Sequence, residues 1–418
     1  MAQLSDDCFA FGGPLLSVDE AVRIVQDRLG GPDESEIVPL EEADGRVLAE
    51  NVSATLSLPP FNNSAVDGYA INGDALPIGA EGLFRLADRI QAGDQVVAVA
   101  GIDEAVRIFT GAPMPDGLDT VFMQEDVQLP DESHVILPVG LKRGANVRHR
   151  GEDVRQGQLL LDRGHLIRPQ DVGLIAAMGL ARIRVVRRIR VAVISTGNEI
   201  VAPGLDRGAA QLYDSNRFML IAMLKRLGCE ISDFGILADD EDETVRALKR
   251  AAEGNDLVLS SGGVSTGEAD FVKSAVERIG SLTFWRLAIK PGRPVAMGVI
   301  DGTPFIGLPG NPVASFVTFA RLARPAIMAL SGARYDAPAH MSLIAGFDHQ
   351  KKPGRCEYLR ANLQKGSDGR IRAVKFARDG AGLLSSLVET DGLVELPEEL
   401  TRVEMGEAVA FLPWSSLL

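Results

Sequence analysis

Apolar residues recur at helical spacing at Ala21, Ile24, Val25 and Leu29, behind Ser17 and Glu20 and before Gly30 and Gly31. A serine followed three residues later by a glutamate forms a capping box, so this stretch predicts an amphipathic helix that the glycines end. From residue 56 to 157 the pattern changes to short apolar stretches, VRIFT, TVFM and HVIL among them, punctuated by Gly, Pro and Asp. Those signals predict a mostly β domain. PQDVGLIAAMGL (169–180) reads as a short helix with Pro169 in its first turn, and the run ARIRVVRRIRVAVIST after it is β-patterned and contains a domain boundary.

Beyond that run strands and helices alternate: VAVIST, a helix over 216–228, a strand over 229–237, a helix over 242–253, DLVLSS (256–261) and a helix over 270–280. Two more apolar strands, PVAMGVI and TPFIGL, lead into LPGNP and an apolar helix from Pro312 to Leu330, which Asn311 is placed to cap. The alternation predicts an open α/β sheet domain over 188–332. Pro338 opens a third regime of Gly-rich turns between short alternating segments, RIRAVKF and GEAVAFL, which predicts a small β-barrel over 338–418. The fold class is therefore α/β multidomain, without internal repeats.

Length and composition fit that division: 418 residues, 46% hydrophobic and only 5% aromatic, suit several soluble domains. The first twenty residues carry early aspartates and no basic segment before an apolar run, so a cytoplasmic location without a secretory signal is expected. Three cysteines, Cys8, Cys229 and Cys356, lack metal-site spacing and read as small packing residues. A net charge of −14 argues against a nucleic-acid partner. An anionic small molecule then needs a locally positive pocket, for which RHR (148–150) and IKPGR (289–293) are candidates.

In open α/β sheets ligands sit beyond the carboxyl ends of the strands. There the chain places STGNE (195–199), Asp239 and Asp240, SSGGVSTGEAD (260–270) and LPGNP (308–312). The glycines free backbone N–H groups to form an oxyanion or phosphate cradle, with Ser261, Ser265 and Thr266 as further donors. The loop matches neither a P-loop nor a dinucleotide fingerprint, and an ordinary strand-to-helix turn explains it equally well. Glu199, Asp239 and Asp270 are carboxylates at successive strand ends, an oxygen-rich set for which Mg²⁺ is the natural ion, although solvation or helix capping explains any one of them. A second group of turns, PPFNNSAVDGYA, TGAP and RHRGED, holds Asp67, Thr110, Arg148, Arg150 and Asp153. The five histidines show no ligand spacing, and no GxSxG elbow is present, so metal-assisted chemistry on a phosphate is favoured over acyl transfer.

The segments PPFNNSAVDGYA, TGAPMP, RHRGEDV, ISTGNEI, YDSNRFML, LADDED, SSGGVSTGEADF, AIKPGRPVAMG and GLPGNPVAS, in this order, resemble the molybdopterin molybdenumtransferase family, MoeA, related to the gephyrin E domain. The resemblance spans nearly the whole chain. It implies four domains, including an elongated linker from residues 14–55 with 158–187, in a homodimer whose Asp67 loop and α/β crevice come from different subunits. It implies insertion of molybdate into the dithiolene of adenylylated molybdopterin with release of AMP and a divalent ion. Catalytic importance is thereby implied for Asp67, Thr110, Asp153, Glu199, Asp239 and Asp270, the last three with Glu199 and Asp270 foremost as Mg²⁺ ligands. Substrate contacts are expected from Ser261, Gly262, Gly263, Ser265, Gly267, Lys290, Arg293, Pro309, Gly310, Asn311 and Pro312, with Arg148 and Arg150 near molybdate. A contact with the adenylyltransferase that precedes the enzyme is a further expectation.

The chain departs from the family pattern at Asn198, where many relatives carry Asp, at Asn62, which replaces an Asp, and at Arg286, where Lys is frequent. Asn198 removes a negative charge beside Glu199 and bears on the ion preferred. Two rival readings stand beside the transferase: a non-catalytic scaffold or pterin-binding paralogue, and the adenylyltransferase itself, whose single domain resembles residues 188–332.

Overall fold

The computed structural model describes residues 15–95, 100–263, 271–292 and 294–417. Its central body is a six-stranded sheet in the order Glu230–Leu237, Arg190–Thr196, Leu257–Ser261, Thr303–Leu308, Pro294–Ile300 and Gly280–Arg286. The first four strands run parallel, and the last two are antiparallel additions. Val191, Val193, Val258 and Leu259 are fully buried, as expected of parallel strands covered on both faces. Helices Asn216–Arg226, Glu241–Ala252 and Phe271–Ile279 supply crossovers, each within a few residues of its expected place.

The β run before this sheet divides into Arg182–Val186 and Arg190–Thr196, which join different sheets. Arg182–Val186 pairs antiparallel with Ser35–Pro39, and Leu159–Leu161 pairs with Val52–Ser53, so two distant stretches of chain form one small layer. The opening helix, Val18–Arg28, carries the expected capping box: Ser17 Oγ accepts from the Glu20 N–H, while the Glu20 carboxylate accepts from the Ser17 N–H at 3.0 Å. Its buried face, Ala21, Val22 and Val25, packs into the α/β core with Phe319, Leu322 and Ile327.

Pro312–Leu330 is the one stretch among the described helices long and apolar enough to cross a membrane, yet 83% of it is buried within the fold. Val313, Val317, Phe319, Leu322 and Ala326 surround its axis, which makes it a core helix. It is interrupted by a π-helical turn at Phe319–Ala323, just before Pro325, which has no N–H to continue the ladder. Asn311 occupies the N-cap with extended backbone but makes no side-chain capping bond, contrary to the expectation for it.

A second six-stranded sheet, Thr120–Met123, Gly68–Ile71, Glu104–Ile108, Gly82–Ile90, His134–Leu137 and Gln128–Asp131, forms the β-rich unit. At the carboxyl end of the chain, Cys356–Lys365, Ile371–Lys375, Met341–Ala345, Ala408–Pro413 and Gly392–Leu396 pair in turn, and the last pairs back to the first. This is the expected small barrel, closed with five strands. Ile289–Lys290 adds beside Cys356–Glu357 and ties the barrel to the α/β unit. Burial pushes the Cys229 and Cys356 thiols up to about 12, in keeping with packing roles.

Candidate active site

In the central sheet, the chain leaves Arg190–Thr196 for a neighbour on one side, Glu230–Leu237, and then crosses to the other side, Leu257–Ser261. The strand order reverses there, so a crevice opens between Thr196 and Ser261 at the carboxyl ends. Gly262 and Gly263 turn away from it with φ of +87° and +66°, a left-handed conformation that glycine adopts without cost. A Cβ on Gly262 would lie 3.0 Å from the Thr196 carbonyl oxygen, and one on Gly263 would lie 2.5 Å from Val272 Cγ2 and 2.7 Å from Thr196 Oγ1. The glycines therefore allow the loop to pass flush against the neighbouring strand end. The Gly262 N–H donates to the Leu308 carbonyl at 3.1 Å, so it is not free for a phosphate, and Gly262 acts through its conformation.

One residue that the sequence reading did not single out holds the crevice together. Asn216, 8% exposed at the start of its helix, donates through Nδ2 to Ser261 Oγ at 2.9 Å and to the Gly310 carbonyl at 2.7 Å. It thus joins the third loop to LPGNP. Its own segment is pinned by Asp214, 2% exposed, which accepts from Arg217 N and Nε at 3.1 Å, while Arg217 Nη1 reaches Asp233. Asn216 Oδ1 and the hydroxyls of Ser195 and Ser260 are buried without a hydrogen-bond partner among the described residues.

Glu199 and Asp239 follow the paired ends Thr196 and Leu237 of adjacent strands, as expected, so both carboxylates stand on the same rim. Asp239 Oδ2 accepts from the Asn198 N–H at 3.2 Å, and the Asp239 N–H donates back to Asn198 Oδ1 at 3.3 Å. Asn198 is therefore the clasp between the two acidic loops. Glu199 is exposed, and its carboxylate folds back over Gly197, where a Cβ would lie 2.5 Å from Oε2. Asp270, Ser265, Gly267 and Arg293 lie outside the described residues. Among the described residues, no group of three His, Cys, Asp or Glu side chains is placed to hold a metal.

Pro309 is buried, while Gly310 and Asn311 are exposed at the mouth of the crevice and Pro312 opens the core helix. Lys290, half exposed, is not free: its Nζ donates to Glu357 Oε1 at 2.6 Å, and Glu357 is buried in the barrel wall. Its charge is spent first on fastening the barrel to the crevice side of the α/β unit. Glu357 was not foreseen; a charged residue within the apolar run CEYLRANL was its only signal.

The β-rich unit carries the second group. Asp67 Oδ1 accepts from both the N–H and the hydroxyl of Thr110, each at 2.8 Å. Thr110, through its N–H first and its hydroxyl next, holds the Asp67 carboxyl below the usual carboxylate value. The Arg150 N–H donates to Asn62 Oδ1 at 2.8 Å, and Arg150, Phe61, Asn62, Pro113 and Met114 line an open groove. Asp153 is exposed with its N–H bonded to the Leu58 carbonyl, and Arg148 is exposed on a two-residue strand paired with Asn63–Ser64. Among the described residues, no hydrogen bond or ion pair of the chain links this group to the crevice.

Comparison with known proteins covers the same ground. Residues 16–179 match the MoeA N-terminal region (domain I and II), 192–329 a probable molybdopterin binding domain, and 342–414 the MoeA C-terminal region (domain IV). The chain is 37% identical over 405 residues to the molybdopterin molybdenumtransferase of Haemophilus influenzae, covering 97% of this chain and 100% of the relative. It is 34% identical over 381 residues to molybdopterin molybdenumtransferase 2 of Mycobacterium tuberculosis, covering 88% and 92%. The fold matches the crystal structure of the molybdopterin biosynthesis MoeA protein from Pyrococcus horikoshii with a TM-score of 0.82 and 28% identity, over 96% of this chain and 100% of that one. The chain belongs to the molybdopterin molybdenumtransferase family, transferases of molybdenum cofactor biosynthesis.

Proposed function

We propose that the chain inserts molybdate into the dithiolene of adenylylated molybdopterin, cleaving the diphosphate link and releasing AMP. The observation that carries this reading is the crevice at the sheet's switch point, where Gly262 and Gly263 lie flush against Thr196 and the Glu199 and Asp239 loops are clasped through Asn198. Ligands of open α/β sheets bind at such a point, and a glycine-lined turn accepts a diphosphate closely.

The donor chemistry of the rim fits a hard cation: carboxylate oxygens from Glu199 and Asp239 are joined in the sequence by Asp270. These three would hold Mg²⁺, and when bound the ion supplies charge neutralisation at the diphosphate. Asn198 keeps the two loops in register while leaving Asp239 Oδ1 free of that clasp. Asn216 fixes the Ser261 and Gly310 turns against one another, so that the phosphate-binding side of the crevice is set before substrate arrives. Asp67, oriented through one oxygen by Thr110, presents its second oxygen away from that clamp.

The Asp67 group sits on a different sheet from the crevice, which suits an active site completed by the same group of a second subunit in a homodimer. Arg148 and Arg150 on that group supply the positive charge that molybdate needs beside the acidic rim. The reading places the enzyme in the cytoplasm, receiving its substrate from the adenylyltransferase that makes it. The test is an assay with adenylylated molybdopterin, molybdate and Mg²⁺. Molybdate-dependent AMP release supports the transferase. Pterin binding without turnover would instead make the chain a scaffold, and ATP-dependent formation of adenylylated molybdopterin would make it the preceding enzyme.

A further inference from the structure

At the amino ends of the central strands, opposite the crevice, a cavity of about 160 Å³ lies between the α/β unit and the small layer that carries Gly45–Val47 and Leu166. Five arginines line it, Arg46, Arg187, Arg188, Arg226 and Arg324, and no carboxylate does. In a chain of net charge −14 that concentration of one sign needs a cause.

Two of the five are already neutralised. Arg46 pairs with Glu36 and donates to the Val186 carbonyl, while Arg187 grips both oxygens of Asp256 at 2.7 Å and also pairs with Glu34. The other three have no carboxylate partner among the described residues. Arg188 Nη1 donates only to the Gly228 carbonyl, at 2.8 Å, and it lies so close to Gly228 that a Cβ there would be 2.8 Å from it. Arg226 stands exposed at the end of its helix. Arg324 has Nε and Nη1 buried without a hydrogen-bond partner, in a setting where burial disfavours its charged form. A guanidinium remains protonated in proteins, so an unpaired buried one is costly until an anion meets it.

We propose that this cavity binds a tetrahedral oxyanion between Arg188, Arg226 and Arg324, at a site separate from the crevice and independent of the reaction assigned to it. Guanidinium forks match oxyanion geometry, and the cavity has room for one such ion. Because its walls come from two units of the fold, the bound ion braces the joint between them.

The test is calorimetric titration of the full chain with inorganic phosphate in low-salt buffer, repeated with sulfate and molybdate, alongside thermal unfolding. One phosphate per chain is expected, with a raised Tm. Arg324→Met and Arg188→Met should each weaken binding by about tenfold or more and remove the Tm shift. Arg226→Met, at an exposed position, gives the same answer should either of the other changes impair folding. Glu199→Gln, on the crevice rim, should leave the phosphate affinity unchanged. Sulfate and molybdate should compete with phosphate. Absence of phosphate binding by the wild type, or full affinity in the arginine variants, would overturn the proposal.

Discussion

Asp67 Oδ1 receives both hydrogen bonds that Thr110 has to give, from N–H and Oγ1 at 2.8 Å each. One oxygen of a partly buried carboxylate is thereby fixed, and the other takes no part in that clamp. Thr110 is exposed, so its side chain serves this contact more than any packing need.

Thr110→Val is expected to remove the hydroxyl contact and keep the N–H one. The Asp67 carboxyl then titrates closer to its ordinary value of about 3.9, as followed by carbon NMR of the labelled side chain. Turnover should fall by roughly tenfold to a hundredfold through looser positioning, with substrate binding changed less. Unaltered titration and unaltered kcat would remove the orienting role.

Asn216→Ala should lower stability by about 1–3 kcal/mol in urea unfolding, because the Ser261 hydroxyl and the Gly310 carbonyl lose a shared, buried donor. The same variant should bind AMP more weakly. Loss of stability with AMP affinity intact would show that the clasp shapes the fold without shaping the crevice.

Gly263→Ala meets both a left-handed backbone and a wall, Val272 Cγ2 at 2.5 Å, and is expected to cost about 1–3 kcal/mol. Gly254→Ala, at φ +75° with nothing within 4 Å, carries the backbone penalty alone and should cost about 1 kcal/mol. Equal losses in the two variants would deny the close approach of the loop to the Thr196 strand.

Acid sensitivity should be traceable to the layer that joins the units. The Asp171 carboxyl, 5% exposed, is held well below its usual range by Arg168 first and by His165 as well, against the opposing effect of burial. A carboxylate depressed in the folded state contributes stability that is complete above about pH 4 and is lost as pH falls toward the folded value. The stability gap between wild type and Asp171→Asn should therefore be constant near neutrality and shrink below about pH 4 in denaturant unfolding. A gap that grows on acidification would contradict this.

The alternation of strands and helices, the capping box at Ser17 and the closed barrel were all legible, because each rests on local period and turn chemistry. So was the place of Glu199 and Asp239 on one rim, since in this architecture position after a strand already implies position there. Asn216 and Glu357 were not legible. Asn216 looks like any residue opening a helix, and its value comes from Gly310, 94 positions away. Lys290 was expected to meet substrate charge, and its pairing was hidden because Glu357, its partner in the barrel, lies 67 positions on. Asn311 has the right identity and the right place for a cap, yet its side chain makes no such bond.

The most direct test of the central claim follows AMP release from adenylylated molybdopterin after molybdate is added, in wild type and in Glu199→Gln and Asp239→Asn, with and without a chelator. The account predicts release that stops on chelation and slows by about a hundredfold or more in each variant, with the fold intact. Release at the wild-type rate in both variants, or in the presence of chelator, would contradict it.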